Sequence, residues 1–143
     1  MSQENVELVL GLYQPPDVDY VPLFRDDGVW TEFSEALAPF FHADFGCVMY
    51  ALGSEKRYVG LNGLRAFMLD WTAPWATYRI ETNEAVDLGE RVLVLNHDCG
   101  RREGSSQEVR ASQGAVWTIR DGKVAHLIAY PTRADALKAV GLI

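Results

Sequence analysis

The sequence has no long hydrophobic run and no positive charge near its start. No stretch reaches the roughly 18 consecutive apolar residues that a membrane span requires, although hydrophobic residues make up 48% of the 143. The opening MSQENVELVL carries two glutamates where a secretory signal would carry positive charge. We therefore expect a cytoplasmic protein without a membrane partner, and the length corresponds to a single domain over residues 1–143.

Basic residues are too few for a nucleic-acid partner. There are 13 Lys and Arg against 20 Asp and Glu, a net charge of −7, whereas phosphate backbones are bound by clustered Lys and Arg. The densest basic spot, Arg101-Arg102, is followed at once by Glu103 and is typical of a solvated turn. The composition therefore argues against nucleic acid as a partner.

Cysteine and histidine are rare and scattered. Cys47 and Cys99 lack CxxC spacing, so they allow one disulfide at most and are more typical of small buried side chains in a reducing compartment. His42, His97 and His126 form neither an HxH nor an HExxH motif. We therefore expect neither a metal ion nor another cofactor.

The first half of the chain is predicted to be mainly helical. Apolar residues recur at helical spacing in three segments: 4–13, 30–41 and 61–75. Residues 17–28 predict a loop, and residues 47–52 predict a short strand. His42 and Asp44 fall at the predicted end of the second helix.

After Pro74 the apolar period changes from 3.6 to 2. Alternating runs follow at residues 78–88, 91–101 and 109–120. Asp121-Gly122 joins the last of these to a further run, a hairpin signature because Gly tolerates positive φ. A capping box from Thr132 to Asp135 predicts a short last helix that ends at Gly141. This order predicts an α+β fold: a curved antiparallel sheet forming a cone, about three N-terminal helices packed over it, and a short C-terminal helix.

Gln113 is the single polar residue on a strand face that is otherwise apolar. A buried amide without partners costs about 1–3 kcal/mol, so Gln113 either makes structural hydrogen bonds or faces a ligand. Its small neighbours Ala111 and Ala115 favour open space above it. In the next strand, Leu127 lies between two further alanines.

His97 is a candidate acid or base because the pKa of imidazole lies near neutrality. Its strand is apolar on both faces, with Asn96 and Asp98 on the opposite one, so alternation does not decide which face lines a pocket. A satisfied core histidine is the alternative. His126 and Tyr130 share the strand face that we expect outside, in a structural role or a dimer contact.

The stretch LRAFMLDWTAPW, residues 64–75, ends in two tryptophans. We expect Trp71 at the boundary between core and cavity, and Trp75, beyond the proline, as a lid over the mouth or packed at its rim. Trp117 shares the face of Gln113 and would form a further wall. No serine lies in a GxSxG context, so no nucleophile motif is present.

These features together resemble a known family. The run NVELVLGLY, the segment GLNGLRAFMLDW, the hairpin VWTIRDGKVAHLIAY and the RADAL helix are similar to those of SnoaL-like domains in the nuclear transport factor 2-like superfamily. The resemblance covers nearly the whole chain and implies an α+β cone. That superfamily includes polyketide cyclases, ketosteroid isomerases, scytalone dehydratase and limonene epoxide hydrolase, so the resemblance implies a fold and not one reaction.

The resemblance also implies where site residues would fall. Tyr13 falls near the oxyanion-hole tyrosine of the isomerases. Their carboxylate base would fall on Ala51 and their second acid near Ala115, so neither the proton-abstracting carboxylate nor the donating acid of ketosteroid isomerase is retained. Isomerase chemistry of that type is therefore not expected, and whether the chain is an enzyme stays open.

We predict that the cone binds a small, largely apolar, cyclic molecule. His97 and Tyr13 are the candidate catalytic residues for an acid–base reaction of isomerase, cyclase or hydrolase type. The candidate ligand-binding residues are Gln113, Trp71, Trp75, Trp117 and Leu127. The alternatives are a non-catalytic binding domain and a dimerisation module with an occluded cone. We expect a homodimer through the outer face of the sheet.

Overall fold

The computed structural model describes residues 2–51 and 53–143. In chain order the elements are α1 (Ser2–Leu12), α2 (Val21–Arg25), α3 (Asp27–Leu37), a 3₁₀ turn (Ala38–Phe40), β1 (Phe41–Ala51), β2 (Ser54–Val59), α4 (Gly60–Trp71), β3 (Thr77–Asp87), β4 (Arg91–Arg101), β5 (Glu108–Arg120), β6 (Lys123–Tyr130) and α5 (Arg133–Ala139). Helices precede a meander of long strands, which confirms the predicted α+β class.

The strands form one curved, open sheet in the order β2-β1-β6-β5-β4-β3. The pairs are antiparallel except β1 and β6, which run parallel. The sheet is therefore mixed and not purely antiparallel as predicted. A parallel pair needs a long crossover, and here the crossover comprises β2, α4 and the β3–β5 meander, so no local sequence signal marks it.

The second predicted helix ends earlier than expected, because α3 stops at Leu37 and Pro39 lies in the 3₁₀ turn. Proline lacks the N–H that a helix interior requires. The strand expected at 47–52 consequently begins at Phe41. His42 and Asp44 thus lie in β1 and not at a helix end, and the His42 Nε2 atom lies 2.6 Å from the carbonyl oxygen of Arg120.

Two short elements were not predicted. The loop expected at 17–28 contains α2, a helix of 5 residues, which is too short to show an apolar period. Asp26 then caps α3 by accepting a hydrogen bond from the Val29 N–H at 2.9 Å. The edge strand β2 buries only Tyr58, so it lacks the apolar alternation by which a strand is recognised.

The second half matches the prediction closely, since β3, β4 and β5 lie within two residues of their predicted bounds. Asp121 and Gly122 both adopt positive φ, 55° and 74°, as a type I′ hairpin requires. The Thr132 hydroxyl accepts from the Asp135 N–H at 3.1 Å. The last helix therefore begins at the predicted cap.

The sheet separates two apolar clusters. Helices α1–α4 pack on its concave face over the main core, whereas α5 covers Leu93, Leu95 and Val116 on the outer face. His126 lies on that outer face too, beside Gly46, and a contact there between two copies stays a prediction. No helix in the described part of the chain is long and apolar enough to cross a membrane.

Helix α5 reaches the sheet because Gly114 has no side chain. A Cβ built on Gly114 would overlap the Ala136 methyl and lie 3.3 Å from Leu95 Cδ2. We expect Gly114→Ala to lower the free energy of unfolding by about 1–3 kcal/mol, because overpacking displaces the helix. Chemical denaturation followed by circular dichroism measures this.

Gly11→Ala is the matched control for that substitution. A Cβ on Gly11 meets nothing within 4 Å, and alanine stabilises a helix by up to about 1 kcal/mol relative to glycine. Equal stability of Gly114→Ala and the wild type would show that α5 is not held by this contact.

Candidate active site

A cavity of about 110 Å³ lies between helices α1–α4 and the concave face of the sheet. It is partly open to solvent, and most of its wall is aromatic or aliphatic. An engineered cavity of ~150 Å³ is large enough to hold benzene. This one is therefore matched to a molecule of about one ring.

Five of the seven predicted site residues line this cavity. They are Tyr13, Trp71, Gln113, Trp117 and Leu127. They come from the residue that follows α1 and from α4, β5 and β6, so the fold brings together residues that are up to 114 positions apart in sequence. Because the space between Trp71, Gln113 and Leu127 is not filled by side chains, the cone is not occluded.

His97 is not part of this site. Its strand neighbours Asn96 and Asp98 line the cavity, and successive residues of a strand point to opposite faces. His97 instead lies toward the outer face, where its Nε2 is 3.1 Å from Ser112 Oγ and its buried Nδ1 has no partner among the described residues. The hypothesis that His97 carries protons in the cavity therefore has no geometric support.

Trp75 does not line the cavity either. Its ring packs over Gly100, where a Cβ would overlap the indole, and the Arg102 guanidinium lies 5.1 Å from the ring centroid. Trp75 thus packs on β4 beside Arg102, and its predicted role as a ligand-binding residue has no support from the lining of the cavity.

Asp98 is the residue that the sequence reasoning missed. Its carboxylate lies in the cavity with 5% of the residue exposed. The Tyr78 hydroxyl donates to Oδ2 and the Asn96 amide donates to Oδ1. Burial raises the pKa of Asp98 to about 6, against the opposing effect of the hydrogen bonds from Tyr78 and Asn96 and of the nearby Trp71 indole N–H, which donates to the Tyr78 oxygen. The pKa of this carboxyl is thus closer to neutrality than that of an ordinary aspartate.

A signal for Asp98 was present in the sequence. Asn96 and Asp98 follow Val92 and Val94 on one face of RVLVLNHDCG, and aspartate is almost never fully buried unless it is paired. An aspartate in an apolar alternation is therefore a candidate site residue. Alternation alone did not select this face, because α5 and its neighbours bury the other face as well.

Two phenols face the cavity as neutral donors. The Tyr13 oxygen accepts from Trp117 Nε1 at 3.0 Å, and the Tyr20 oxygen accepts from the Gln14 N–H at 2.8 Å. Burial raises the pKa of Tyr13 and raises that of Tyr20 to about 12. Neither hydroxyl hydrogen has an acceptor among residues 2–51 and 53–143, so each can be donated to a ligand.

Gln113 completes the polar set. It lines the cavity, and its side-chain amide makes no hydrogen bond to any described residue. No described residue therefore holds this amide in a structural hydrogen bond, and its contact with a ligand stays a prediction.

The positions of the isomerase acids carry alanine here. Ala115 lines the cavity, whereas Ala51 ends β1 at the pairing with Ser54, away from it. The carboxylate that lines this cavity is that of Asp98 on β4. The described residues hold no cluster of three or more His, Cys, Asp or Glu side chains suited to a metal ion.

Comparison with solved structures shows the same fold in several proteins. A putative SnoaL-like polyketide cyclase from Jannaschia has a TM-score of 0.65 at 18% identity and covers 98% of this chain and 92% of its own. TerC, co-crystallised with polyporic acid, has a TM-score of 0.62 at 20% identity, with 94% and 96% covered. A hypothetical protein with a ketosteroid isomerase-like fold from Catenulispora acidiphila, in complex with trimethylamine, has a TM-score of 0.58 at 16% identity, with 87% and 90% covered.

No curated protein gives a significant match to the chain. The family comparison is decisive, because the SnoaL-like domain model matches residues 19–127. This range contains Asp98, Tyr78, Gln113 and helices α2–α4. The chain belongs to the SnoaL-like domain family.

Proposed function

We propose that the protein binds a small, neutral, single-ring molecule in the cavity and catalyses an acid–base reaction on it, with Asp98 as the proton carrier. The observation that carries the proposal is a carboxylate held by two donors inside an apolar cavity, with its pKa near neutrality. General bases work best when their pKa lies near the working pH. The proposal replaces His97 by Asp98 as the catalytic group.

The polar groups suit proton removal next to a carbonyl. Asp98 accepts a proton from carbon, and negative charge develops on the carbonyl oxygen. The free hydrogens of Tyr13 and Tyr20 can donate to that oxygen, because both phenol oxygens already accept N–H groups. Such preorganised donors stabilise developing charge strongly where the surrounding wall is largely apolar. Gln113 offers a further amide to a second oxygen.

The charge and size of the cavity select the ligand. Among the described residues, none that lines the cavity is Lys, Arg or His. An anionic ligand would meet the Asp98 charge without compensation in a medium of low dielectric. The volume of about 110 Å³ limits the ligand to about one ring. Neighbours crystallised with polyporic acid and with trimethylamine support the capacity of this fold to hold small molecules.

The first test measures proton transfer. Cyclohexanone in D₂O is a suitable probe, because exchange of its α-protons is followed directly by NMR. We expect the wild type to accelerate exchange and Asp98→Asn to lose that acceleration by a factor on the order of 100 to 10,000. Asp70→Asn is the matched control, because Asp70 also accepts from a tyrosine, Tyr58 at 2.6 Å, but on the surface.

The outcomes distinguish an enzyme from a non-catalytic binding domain. Equal exchange by Asp98→Asn and the wild type contradicts the role of Asp98. Saturable binding of the probe without accelerated exchange favours the non-catalytic binding domain over the enzyme.

The second test concerns Gln113. We expect Gln113→Leu to weaken binding of a single-ring carbonyl probe at least about tenfold, the value of one lost hydrogen bond in a dry site. The melting temperature should stay the same or rise, because the amide makes no hydrogen bond to any residue that the structure describes. Isothermal calorimetry and thermal unfolding measure the two effects, with exposed Gln107→Leu as the control. A large drop in melting temperature would assign Gln113 a structural role.

The third test uses the pH dependence of stability. Folding raises the pKa of Asp98 from its usual 3.8 to about 6, so the folded state binds this proton more tightly than the unfolded state. Below about pH 4, Asp98 is protonated in the folded state and hardly changes the free energy of unfolding. As the pH rises to about 6, the unfolded state loses this proton first, and the free energy of unfolding falls. Relative to Asp98→Asn, the free energy of unfolding of the wild type should fall by about 2–3 kcal/mol between pH 4 and pH 7. Parallel pH profiles in urea denaturation would contradict this.

A further inference from the structure

We propose that Trp71 and Tyr78 are positioning residues for Asp98: the indole N–H of Trp71 fixes the Tyr78 hydroxyl, and that hydroxyl fixes the carboxylate. The inference deepens the proposed function, since it rests on Asp98 as the proton carrier. It also gives a second role to Trp71, which was predicted from the sequence only as part of the cavity wall.

The Trp71 ring is held in one plane by helix α4. Residues four apart lie on the same helix face, and the rings of Phe67 and Trp71 stack with centroids 5.9 Å apart and an interplanar angle of 7°. A fixed plane gives the indole N–H one direction. In that direction it meets the Tyr78 oxygen at 2.7 Å.

Tyr78 is held at the other end by the sheet and by the loop before α2. In the β3–β4 ladder Ile80 pairs with Asp98 and Tyr78 pairs with Gly100, so Tyr78 lies diagonally across from Asp98 on the same face. The Tyr78 N–H donates to Asp19 Oδ1 at 2.9 Å, and its carbonyl accepts from the Tyr20 N–H at 2.6 Å. Trp75, seated over Gly100, lies 6.3 Å from the Tyr78 ring.

The hydrogen bonds from Trp71 to Tyr78 and from Tyr78 to Asp98 have a fixed direction. An indole N–H only donates, so the Tyr78 oxygen accepts from Trp71, and the Tyr78 hydrogen is left for Asp98. Burial raises the pKa of Tyr78, which keeps that hydrogen on the phenol. Asp98 Oδ2 is therefore an acceptor whenever both of these hydrogen bonds are formed. The other titratable groups that act on it are the phenols of Tyr13 and Tyr20.

The test is a ¹³C NMR titration of the Asp98 carboxyl in the full chain. We expect Tyr78→Phe to move the Asp98 midpoint upward by about one to two pH units, the equivalent of one charge-assisted hydrogen bond. Trp71→Phe, which keeps an aromatic ring but removes the N–H, should move it in the same direction by about half a unit. Tyr58→Phe is the matched control, since it removes a phenol bound to the surface carboxylate Asp70, and it should leave Asp98 unchanged.

A second measurement needs no substitution of Trp71 or Tyr78. The ¹⁵N–¹H signal of the Trp71 indole should shift with the Asp98 midpoint in the wild type, and this shift should vanish in Asp98→Asn. An Asp98 midpoint that stays the same in both Tyr78→Phe and Trp71→Phe, or an indole signal that ignores Asp98, overturns the inference. A purely structural role of either residue would change the melting temperature without moving the midpoint.

Failure of this inference and failure of the proposed function are distinguishable. The titration reads the carboxyl without any ligand. Shifted midpoints together with no accelerated exchange of cyclohexanone protons would support the positioning chain and reject the enzyme. Unshifted midpoints together with exchange that depends on Asp98 would retain the enzyme and remove Trp71 and Tyr78 from its machinery.

Discussion

The carboxylate of Asp98 in an apolar cavity is the constraint on which the site depends. Burial removes its water, and an ion in such a place persists only if protein donors replace that water. Asn96 supplies one donor from the same strand, and Tyr78 supplies the other from the neighbouring strand. A slip of β3 against β4 by one residue would turn Tyr78 to the other face of the sheet. The register of β3 against β4 therefore determines whether the Asp98 carboxylate has Tyr78 as a hydrogen-bond donor.

The helices above the cavity are held by arginines that bind backbone carbonyls. Arg25 Nη2 donates to the carbonyls of Thr72 and Trp75, at 2.9 and 2.8 Å. Arg65 Nε donates to the carbonyl of Phe24 at 2.8 Å. These hydrogen bonds join α2 to helix α4 and to the segment that follows it, on either side of Trp71. The helical layer above the cavity is therefore held together by hydrogen bonds of its own, in addition to its packing on the sheet.

The sequence predicted the features that local chemistry determines. Asp121-Gly122 and the Thr132 cap act within a few residues, so their signals are complete in the sequence. The parallel pairing of β1 with β6 and the choice between His97 and Asp98 depend on distant parts of the chain. Both faces of β4 are buried, one by α1–α4 and one by α5, so alternation could not say which face is the site.

The candidate site was predictable where residue type alone implied a cavity. Gln113, with small neighbours, and Trp71, at the end of an apolar helix face, were found from the sequence, and both line the cavity. Asp98 was not predicted, because the resemblance implied acids at two other positions, which are occupied here by Ala51 and Ala115. A carboxylate can serve a common cavity from several strands, since only its position relative to the ligand matters. The fold is thus more strongly fixed by the sequence than the placement of the acid within it.

The arrangement of charges favours proton transfer over simple storage of a ligand. Before transfer the cavity holds one negative charge, on Asp98. After transfer it still holds one, on the ligand oxygen, so the total charge that the apolar wall must tolerate does not change. What changes is which donors act on it: Tyr78 and Asn96 stabilise the first state, whereas Tyr13 and Tyr20 are available to the second. Two separate sets of donors, each fixed before a ligand arrives, lower the cost of moving the charge between them. Under the proposed function, the free-energy cost of burying this carboxylate, which its raised pKa reflects, is offset by its use as a base.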